Sequence, residues 1–195
     1  MLIMSCIKIA IFASGSGTNA ENIIKYFGNK SLCEVSLVLC NKKDAYVTER
    51  ARQLNVPSVI FTKSQIEESS CIDELLSEKG VQYIILAGFL LKIPERLLNK
   101  YHKRIINIHP ALLPKYGGKG MHGMHVHEAV IAAGEKESGI TVHVIDADYD
   151  KGETIFQAKC SIDKGDTPDT LASKIHELEQ RYFPEAIESY ILKTR

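Results

Sequence analysis

Residues 7–19, IKIAIFASGSGTN, join an apolar run to a glycine-rich turn near the start of the chain. Residues 7–12 are apolar apart from Lys8, which is typical of a strand buried on both faces of a parallel sheet. The run leads directly into the turn at residues 14–17, and helical periodicity begins at Thr18. A buried strand, a tight turn and a helix in this order predict the first repeat of an α/β sheet.

The same alternation of strands and helices continues along the chain. Strands are predicted at residues 7–12, 35–40, 58–61, 83–86 and 104–108. Helices are predicted at residues 18–27, 44–54, 64–79 and 94–101, with Asp44 as an N-cap. After a loop at residues 110–123, we expect a helix at 126–133, two antiparallel strands at 140–145 and 154–162, and a helix at 167–193 interrupted near Pro184. This pattern predicts a Rossmann-like α/β fold: a doubly wound, mostly parallel sheet with a mixed C-terminal part, in a single domain over residues 1–195.

Composition narrows the class of protein. The 195 residues contain 24 Lys and Arg and 24 Asp and Glu, so the formal net charge is zero. A balanced charge gives no general attraction to nucleic acid or to anionic lipid, and we expect neither partner. Five cysteines without a C-x-x-C pair favour a reducing compartment. No apolar run approaches a membrane span, and we predict a cytoplasmic protein that is a monomer or a homodimer.

The turn after the first strand is a candidate phosphate site. Gly15, Gly17, Thr18 and Asn19 are expected to place backbone N–H groups at the positive end of a helix, where they could cradle a phosphate. A dinucleotide fingerprint would need a third glycine where Ala20 stands and an acidic residue closing the second strand. No Gly-Lys-Ser/Thr follows, as a nucleotide triphosphatase loop would require. A phosphate monoester therefore fits best, and a tight turn without any ligand is the alternative.

The fifth predicted strand ends in Asn107-Ile108-His109-Pro110, and this segment is a candidate catalytic site. Asn107 and His109 are two residues apart, so their side chains point to the same side of the strand. They lie at the carboxyl end of a parallel strand, where doubly wound sheets bind ligands. An amide can stabilise an oxyanion, and an imidazole can transfer a proton near neutral pH. A structural histidine is the alternative for His109 alone.

An aspartate in the segment after the sixth strand is expected to act with this imidazole. The sixth strand and the loop after it contain Thr141, His143, Asp146, Asp148 and Asp150, and an aspartate among them could fix or charge-stabilise the imidazole. No serine lies in a G-x-S-x-G elbow and no cysteine neighbours His109, so a covalent acyl-enzyme is not indicated. We therefore predict direct attack of one bound substrate on another.

A histidine-rich segment follows the loop. His122, His125 and His127 invite a metal interpretation, but the spacing lacks a nearby cysteine and a rigid frame. We expect no metal, and we interpret the segment as a flexible loop over the active site.

Taken together, the motifs resemble the phosphoribosylglycinamide formyltransferase (glycinamide ribonucleotide transformylase) family of purine biosynthesis. The matching segments are SGSGTN at 14–19, NKKDAYVTERA at 41–51, LAGFLLKIP at 86–94, NIHPALLPKYGG at 107–118 and GITVHVIDADYDKG at 139–152. The resemblance implies formyl transfer from the cosubstrate 10-formyltetrahydrofolate to the amine of 5′-phosphoribosylglycinamide. The chain departs from the family pattern at Ala111, where serine is common, and in its longer loop after Tyr116.

The resemblance also implies residue roles. Asn107 would polarise the formyl oxygen, His109 would donate a proton and stabilise the tetrahedral intermediate, and Asp150 would organise His109 and a water relay. The residues implied for the phosphoribosyl substrate are Gly15, Gly17, Thr18, Asn19, His176 and Glu179. Those implied for the folate are Leu90, Leu91, Lys92, Ile93, Asn107, Asp146, Ala147, Asp148, Tyr149 and Asp150.

Other functions remain open at this point. A formyltetrahydrofolate hydrolase or a methionyl-tRNA formyltransferase would share the Asn-His-Asp residues. Each of them typically carries an extra domain that 195 residues do not accommodate. A non-catalytic phosphate-binding module is a third possibility, and it predicts no need for Asn107, His109 and Asp150 together.

Overall fold

The computed structural model describes residues 6–146 and 150–195 and divides into two compact units. Unit 1 ends at Ile106 and unit 2 covers Asn107–Arg195, so the boundary lies inside strand β5 (Ile105–His109). The single domain expected over residues 1–195 remains a prediction.

Parallel strands form the centre of unit 1. Strand β1 (Ile7–Ala13) pairs in parallel with β2 (Cys33–Cys40) and with β4 (Tyr83–Leu86), and β2 pairs in parallel with β3 (Ser58–Ile60). The order within this unit is therefore β3-β2-β1-β4. Consecutive residues of β1 from Ile9 onward are fully buried. Because neighbours along a strand point to opposite faces, both faces of β1 are covered, as its apolar sequence predicts.

The helices of unit 1 connect these strands, and two predicted helix boundaries are wrong. The helices are α1 (Thr18–Gly28), α2 (Val47–Gln53), α3 (Lys63–Glu67), α4 (Cys71–Glu78) and α5 (Glu95–Lys100). Asp44 is not the N-cap of α2, because residues 42–45 form a turn in which Ala45 N donates to Lys42 O. The predicted helix over 64–79 is two helices. At this break the Arg96 guanidinium donates hydrogen bonds to the carbonyl oxygens of Ile66, Glu67 and Ser69. These oxygens therefore have partners although the helix is not continuous.

Unit 2 combines an antiparallel strand pair with two helices. Helix α6 (Met124–Ala132) precedes β6 (Glu137–Val144), which pairs antiparallel with β7 (Thr154–Ser161) as predicted. Helix α7 (Pro168–Thr194) begins with a capping box at Thr167 and packs against α6, β6 and β7. The predicted interruption at Pro184 is wrong, since α7 runs through it. Pro184 lies on the buried face of α7, whose packing outweighs the one backbone hydrogen bond that a proline removes.

These observations confirm the predicted fold class. Unit 1 supplies the parallel α/β part and unit 2 the mixed C-terminal part. The five cysteines all lie in the described part of the chain, and none of them forms a disulfide there. Among residues 6–146 and 150–195, no helix combines the length and the apolar character needed to cross a bilayer.

Candidate active site

The predicted phosphate loop of unit 1 is the turn between β1 and α1. Gly17 is the N-cap of α1 and has a positive φ of 78°, and no side chain caps the helix. A Cβ at Gly17 would lie 2.5 Å from the Val47 side chain, so both conformation and space require glycine there. The start of α1 has no side-chain cap, and the positive end of a helix favours an anion nearby.

Residues of helix α2 donate hydrogen bonds to carbonyl oxygens of this loop. Gly15 O accepts from Val47 N at 3.3 Å, and Ser16 O accepts from Arg50 Nε at 2.9 Å. Arg50 also forms an ion pair with Glu21 in the first turn of α1. These hydrogen bonds occupy the carbonyl oxygens of Gly15 and Ser16 and so fix the backbone of the loop.

Ser14 connects this loop to the segment predicted to bind folate. Its buried hydroxyl donates to Asn41 Oδ1 at 2.6 Å and accepts from Leu90 N at 3.0 Å. In the segment that starts there, Leu90 is 48% exposed, Leu91 is half-buried, Lys92 is exposed and Ile93 is buried. The structure thus brings Ser14, which directly precedes the predicted phosphate-binding residues, next to Leu90 within unit 1.

In unit 2, Asn107 at the end of β5 contacts a histidine of β6. Asn107 Nδ2 lies 3.1 Å from His143 Nε2, and His143 Nδ1 lies 3.1 Å from the carbonyl oxygen of Val144. A carbonyl only accepts, so we assign the proton of a neutral His143 to Nδ1 and the acceptor lone pair to Nε2. Burial is the main cause that lowers the pKa of His143, which keeps it neutral. Asn107 therefore donates one N–H to His143, and its second amide hydrogen remains for a ligand.

His109 is buried and has one nitrogen fixed by backbone. Its Nε2 lies 2.8 Å from Tyr116 O and donates to it, so a neutral His109 carries its lone pair on Nδ1. That Nδ1 lies 3.7 Å from Asp150 Oδ2. Burial lowers the pKa of His109, while Asp150, the Tyr116 carbonyl and Glu179 act in the opposite direction. Nδ1 is thus the nitrogen that can gain or lose a proton beside a carboxylate.

Asp150 lies between the two imidazoles. Its Oδ1 is 3.6 Å from His143 Nε2, and its Oδ2 accepts a hydrogen bond from Gly118 N at 2.8 Å. Asp150 has a positive φ of 56°, an uncommon conformation for a non-glycine residue. The three residues predicted to be catalytic, Asn107, His109 and Asp150, are therefore brought together.

Sequence reasoning gave no role to His143, Tyr116 or Gly118 in this cluster. A histidine inside an otherwise apolar strand was the available signal for His143. Tyr116 and Gly118 act through backbone atoms, for which side-chain identity gives no signal.

Helices α6 and α7 place further polar side chains near the cluster. His176 Nδ1 lies 3.5 Å from Glu179 Oε2, and this contact raises the pKa of His176. His127 on α6 is 6% exposed, and its Nδ1 has no hydrogen-bond partner among the described residues. Burial lowers the pKa of His127, while the Glu179 carboxylate raises it.

The histidine-rich segment and the predicted folate residues at 146–149 do not form sites that the structure describes. His122 and His125 contact each other with ring centroids 5.7 Å apart and are exposed, unlike His127. Within residues 6–146 and 150–195, no three His, Cys, Asp or Glu side chains have metal-ligand geometry, and the absence of a metal stays a prediction.

Of the predicted folate residues after β6, Asp146 is half-buried. The predicted folate residues Ala147, Asp148 and Tyr149 lie outside the described residues.

Comparison with known proteins identifies the family. A model of the formyl transferase family, Formyl_trans_N, matches residues 7–187. The chain therefore belongs to the formyl transferase family. The phosphoribosylglycinamide formyltransferase of Bacillus subtilis (strain 168) is 35% identical over 94% of this chain and 94% of its own length. The chloroplastic enzyme of that name from Arabidopsis thaliana is 37% identical over 92% of this chain, which spans 64% of that relative's length.

Solved structures agree with this assignment. The crystal structure of phosphoribosylglycinamide formyltransferase from Anaplasma phagocytophilum has a TM-score of 0.88 and 30% identity, covering 95% of this chain and 87% of that chain. The structure of the enzyme of that name from Streptococcus pneumoniae TIGR4 has a TM-score of 0.83 and 37% identity, covering 94% of this chain and 98% of that chain.

Proposed function

We propose that this chain transfers a formyl group from 10-formyltetrahydrofolate to the amine of 5′-phosphoribosylglycinamide. The observation that carries the proposal is the convergence of the Asn107 amide, the buried His109 imidazole and the Asp150 carboxylate in unit 2. The names of the relatives above, together with the shared fold, favour phosphoribosylglycinamide as the formyl acceptor, and the family resemblance implies the folate donor. Both substrates are small molecules, and the reaction needs no metal ion.

The chemistry starts with attack of the substrate amine on the formyl carbon, whose C=O electron pair moves to oxygen. Asn107 donates its second amide hydrogen to the developing oxyanion. His109, protonated at Nδ1, donates there as well, and the Asp150 carboxylate stabilises the resulting imidazolium. A proton lost by the amine then passes through Asp150 and water to N10 of the folate as the C–N10 bond breaks. The products are the formylated amine and tetrahydrofolate, so atoms and charge balance.

Binding roles are divided between the two units. In unit 1, the N–H groups of Gly15, Gly17, Thr18 and Asn19 bind the phosphate. For the pterin, the family resemblance implies residues 90–93 of unit 1 and, taken separately, residues 146–150 of unit 2, of which 147–149 lie outside the described residues. In unit 2, Glu179 binds the ribose hydroxyls, and His176 holds its carboxylate. A cytoplasmic location and a monomeric or homodimeric state are part of the same proposal.

A direct assay tests the reaction. Purified protein is mixed with 10-formyltetrahydrofolate, with and without phosphoribosylglycinamide, and deformylation is followed by absorbance. We expect deformylation only when the glycinamide is present. Equal rates in both mixtures would replace the transferase with a hydrolase, and no turnover in either would favour a phosphate-binding module.

A matched pair of variants tests the site. His109→Ala is expected to lower kcat by about a hundredfold or more and to leave binding of the phosphate ester, measured by calorimetry, nearly unchanged. His102→Ala removes an exposed histidine and serves as the control. A large loss of phosphate-ester binding in His109→Ala, or equal kcat in the two variants, would contradict the assigned role.

A further inference from the structure

One short stretch of backbone in unit 2 forms hydrogen bonds with two of the three proposed catalytic side chains, His109 and Asp150. In residues 116–118, Tyr116 O accepts from His109 Nε2 and Gly118 N donates to Asp150 Oδ2, each across 2.8 Å. The two contacts are separated by a single residue, Gly117. A small displacement of this stretch would therefore move His109 and Asp150 relative to each other.

The backbone path of this stretch is unfavourable on its own. Tyr116 has a positive φ of 56° and Gly118 one of 99°. A non-glycine residue in the left-handed region is sterically unfavourable, so surrounding contacts must stabilise it. At Gly117, a Cβ would lie 2.6 Å from Leu113 Cδ2 and 3.2 Å from Asp150 Cβ, so the stretch is also closely packed.

The Tyr116 side chain supplies an anchor for this path. Its hydroxyl donates to Glu135 Oε1 at 2.9 Å, and Glu135 lies in the turn between α6 and β6. The neighbouring Lys115 Nζ contacts the same oxygen at 2.8 Å, although its side chain is 67% exposed. Both hydrogen bonds lower the pKa of Glu135, which therefore stays a carboxylate acceptor at neutral pH.

We propose that Glu135 is a positioning residue for formyl transfer, acting through the Tyr116 hydroxyl on the backbone that sets the His109–Asp150 pair. Glu135 touches no substrate in this assignment. It stabilises Tyr116 in its left-handed conformation. In that conformation the Tyr116 carbonyl accepts a hydrogen bond from His109 Nε2, and His109 Nδ1 faces Asp150. This inference rests on the proposed function for its effect on turnover, but its effect on His109 is independent of the substrate.

The test uses three single variants of the full chain. Tyr116→Phe removes only the hydroxyl, and Glu135→Ala removes the acceptor. Lys115→Met removes the exposed ion pair and keeps the Tyr116–Glu135 bond, so it is the control. We expect Tyr116→Phe and Glu135→Ala each to lower kcat by about fivefold with little change in KM, the factor expected for one such hydrogen bond. Their combination should cost no more than either alone, because both changes break the same link.

A substrate-free measurement separates positioning from a general loss of stability. The Tyr116 carbonyl raises the pKa of His109, as do Asp150 and Glu179. Tyr116→Phe should therefore shift the NMR titration of His109 to lower pH, whereas Lys115→Met should not. An unchanged His109 titration in Tyr116→Phe would overturn the proposal, whether or not the wild-type chain has formyl-transfer activity. A shifted titration in a chain without transferase activity would support positioning and would refute the proposed function alone.

Discussion

The side-chain amide of Asn107 donates a hydrogen bond to Nε2 of His143 across 3.1 Å. Val144 O fixes the proton of His143 on Nδ1, and this leaves Nε2 as the acceptor. The contact therefore decides which way the Asn107 amide faces. With one N–H donated to His143, the second is the one that would donate to the oxyanion in the proposed reaction, and its direction is set before the transition state forms.

We predict that His143→Phe lowers kcat for formyl transfer by about ten- to a hundredfold, since removing an oxyanion donor altogether costs about a hundredfold or more. The reason is that Asn107 loses its acceptor and its fixed orientation. His143→Gln offers a carbonyl oxygen near the position of Nε2 and should recover part of kcat. Steady-state kinetics of both variants check this. Equal kcat values for His143→Phe and His143→Gln would show that His143 does not orient Asn107.

A second prediction concerns the charge between the imidazoles. The Asp150 carboxylate raises the pKa of both His109 and His143 against the effect of burial. Asp150→Asn keeps the shape and removes the charge, so both histidines should titrate at lower pH and kcat at neutral pH should fall because less His109 is protonated. NMR titration and the pH profile of kcat measure the two effects. Asp163→Asn, at an exposed residue, is the control, and a similar shift there would contradict a local effect of Asp150.

Much of this site follows from local sequence rules. The two-residue spacing of Asn107 and His109 places both side chains on one side of β5, and both lie at its carboxyl end. The glycine turn after β1 follows from the same kind of reasoning, because a positive φ at Gly17 needs glycine. The family resemblance, rather than spacing, pointed to Asp150 among several aspartates.

The remaining features depend on contacts distant in sequence. The break between α3 and α4 is tied to Arg96, some thirty residues later, which satisfies the freed carbonyl oxygens. The bond between Tyr116 O and His109 uses a backbone atom that every residue type possesses. Pro184 favours a helix end locally, but the buried face of α7 decides otherwise. Tertiary packing outweighs propensity at each of these positions.

A third prediction tests the conformation of the phosphate loop. Gly17→Ala places a Cβ 2.5 Å from Val47 at a φ of 78°, so the free energy of unfolding should fall by about 1–3 kcal/mol. Gly15→Ala is the matched control, because a Cβ there meets nothing within 4 Å and φ is not positive. Urea denaturation of both variants is the measurement. Equal stability of the two would mean that Gly17 is not held in the left-handed conformation.

The last prediction follows from the three buried histidines of unit 2. Burial lowers the pKa of His109, His127 and His143 from 6.5, so the unfolded chain binds protons at a higher pH than the folded chain does. The unfolded state then holds more protons below about pH 6.5, and the free energy of unfolding must fall as pH decreases through that value. Each histidine contributes a slope of at most about 1.4 kcal/mol per pH unit.

The sign of this dependence distinguishes burial from ion pairing. His176 has a raised pKa and acts oppositely, but its side chain is 46% exposed, so its contribution is small. Urea denaturation at a series of pH values between about 5 and 7.5 should therefore give lower stability at the acidic end. His127→Gln, which replaces a buried imidazole that titrates with an amide that does not, should flatten this slope, whereas His102→Gln at an exposed position should not. A stability that rises toward pH 5 would mean that the folded chain binds more protons than the unfolded chain, and it would contradict burial as the dominant influence on the three imidazoles.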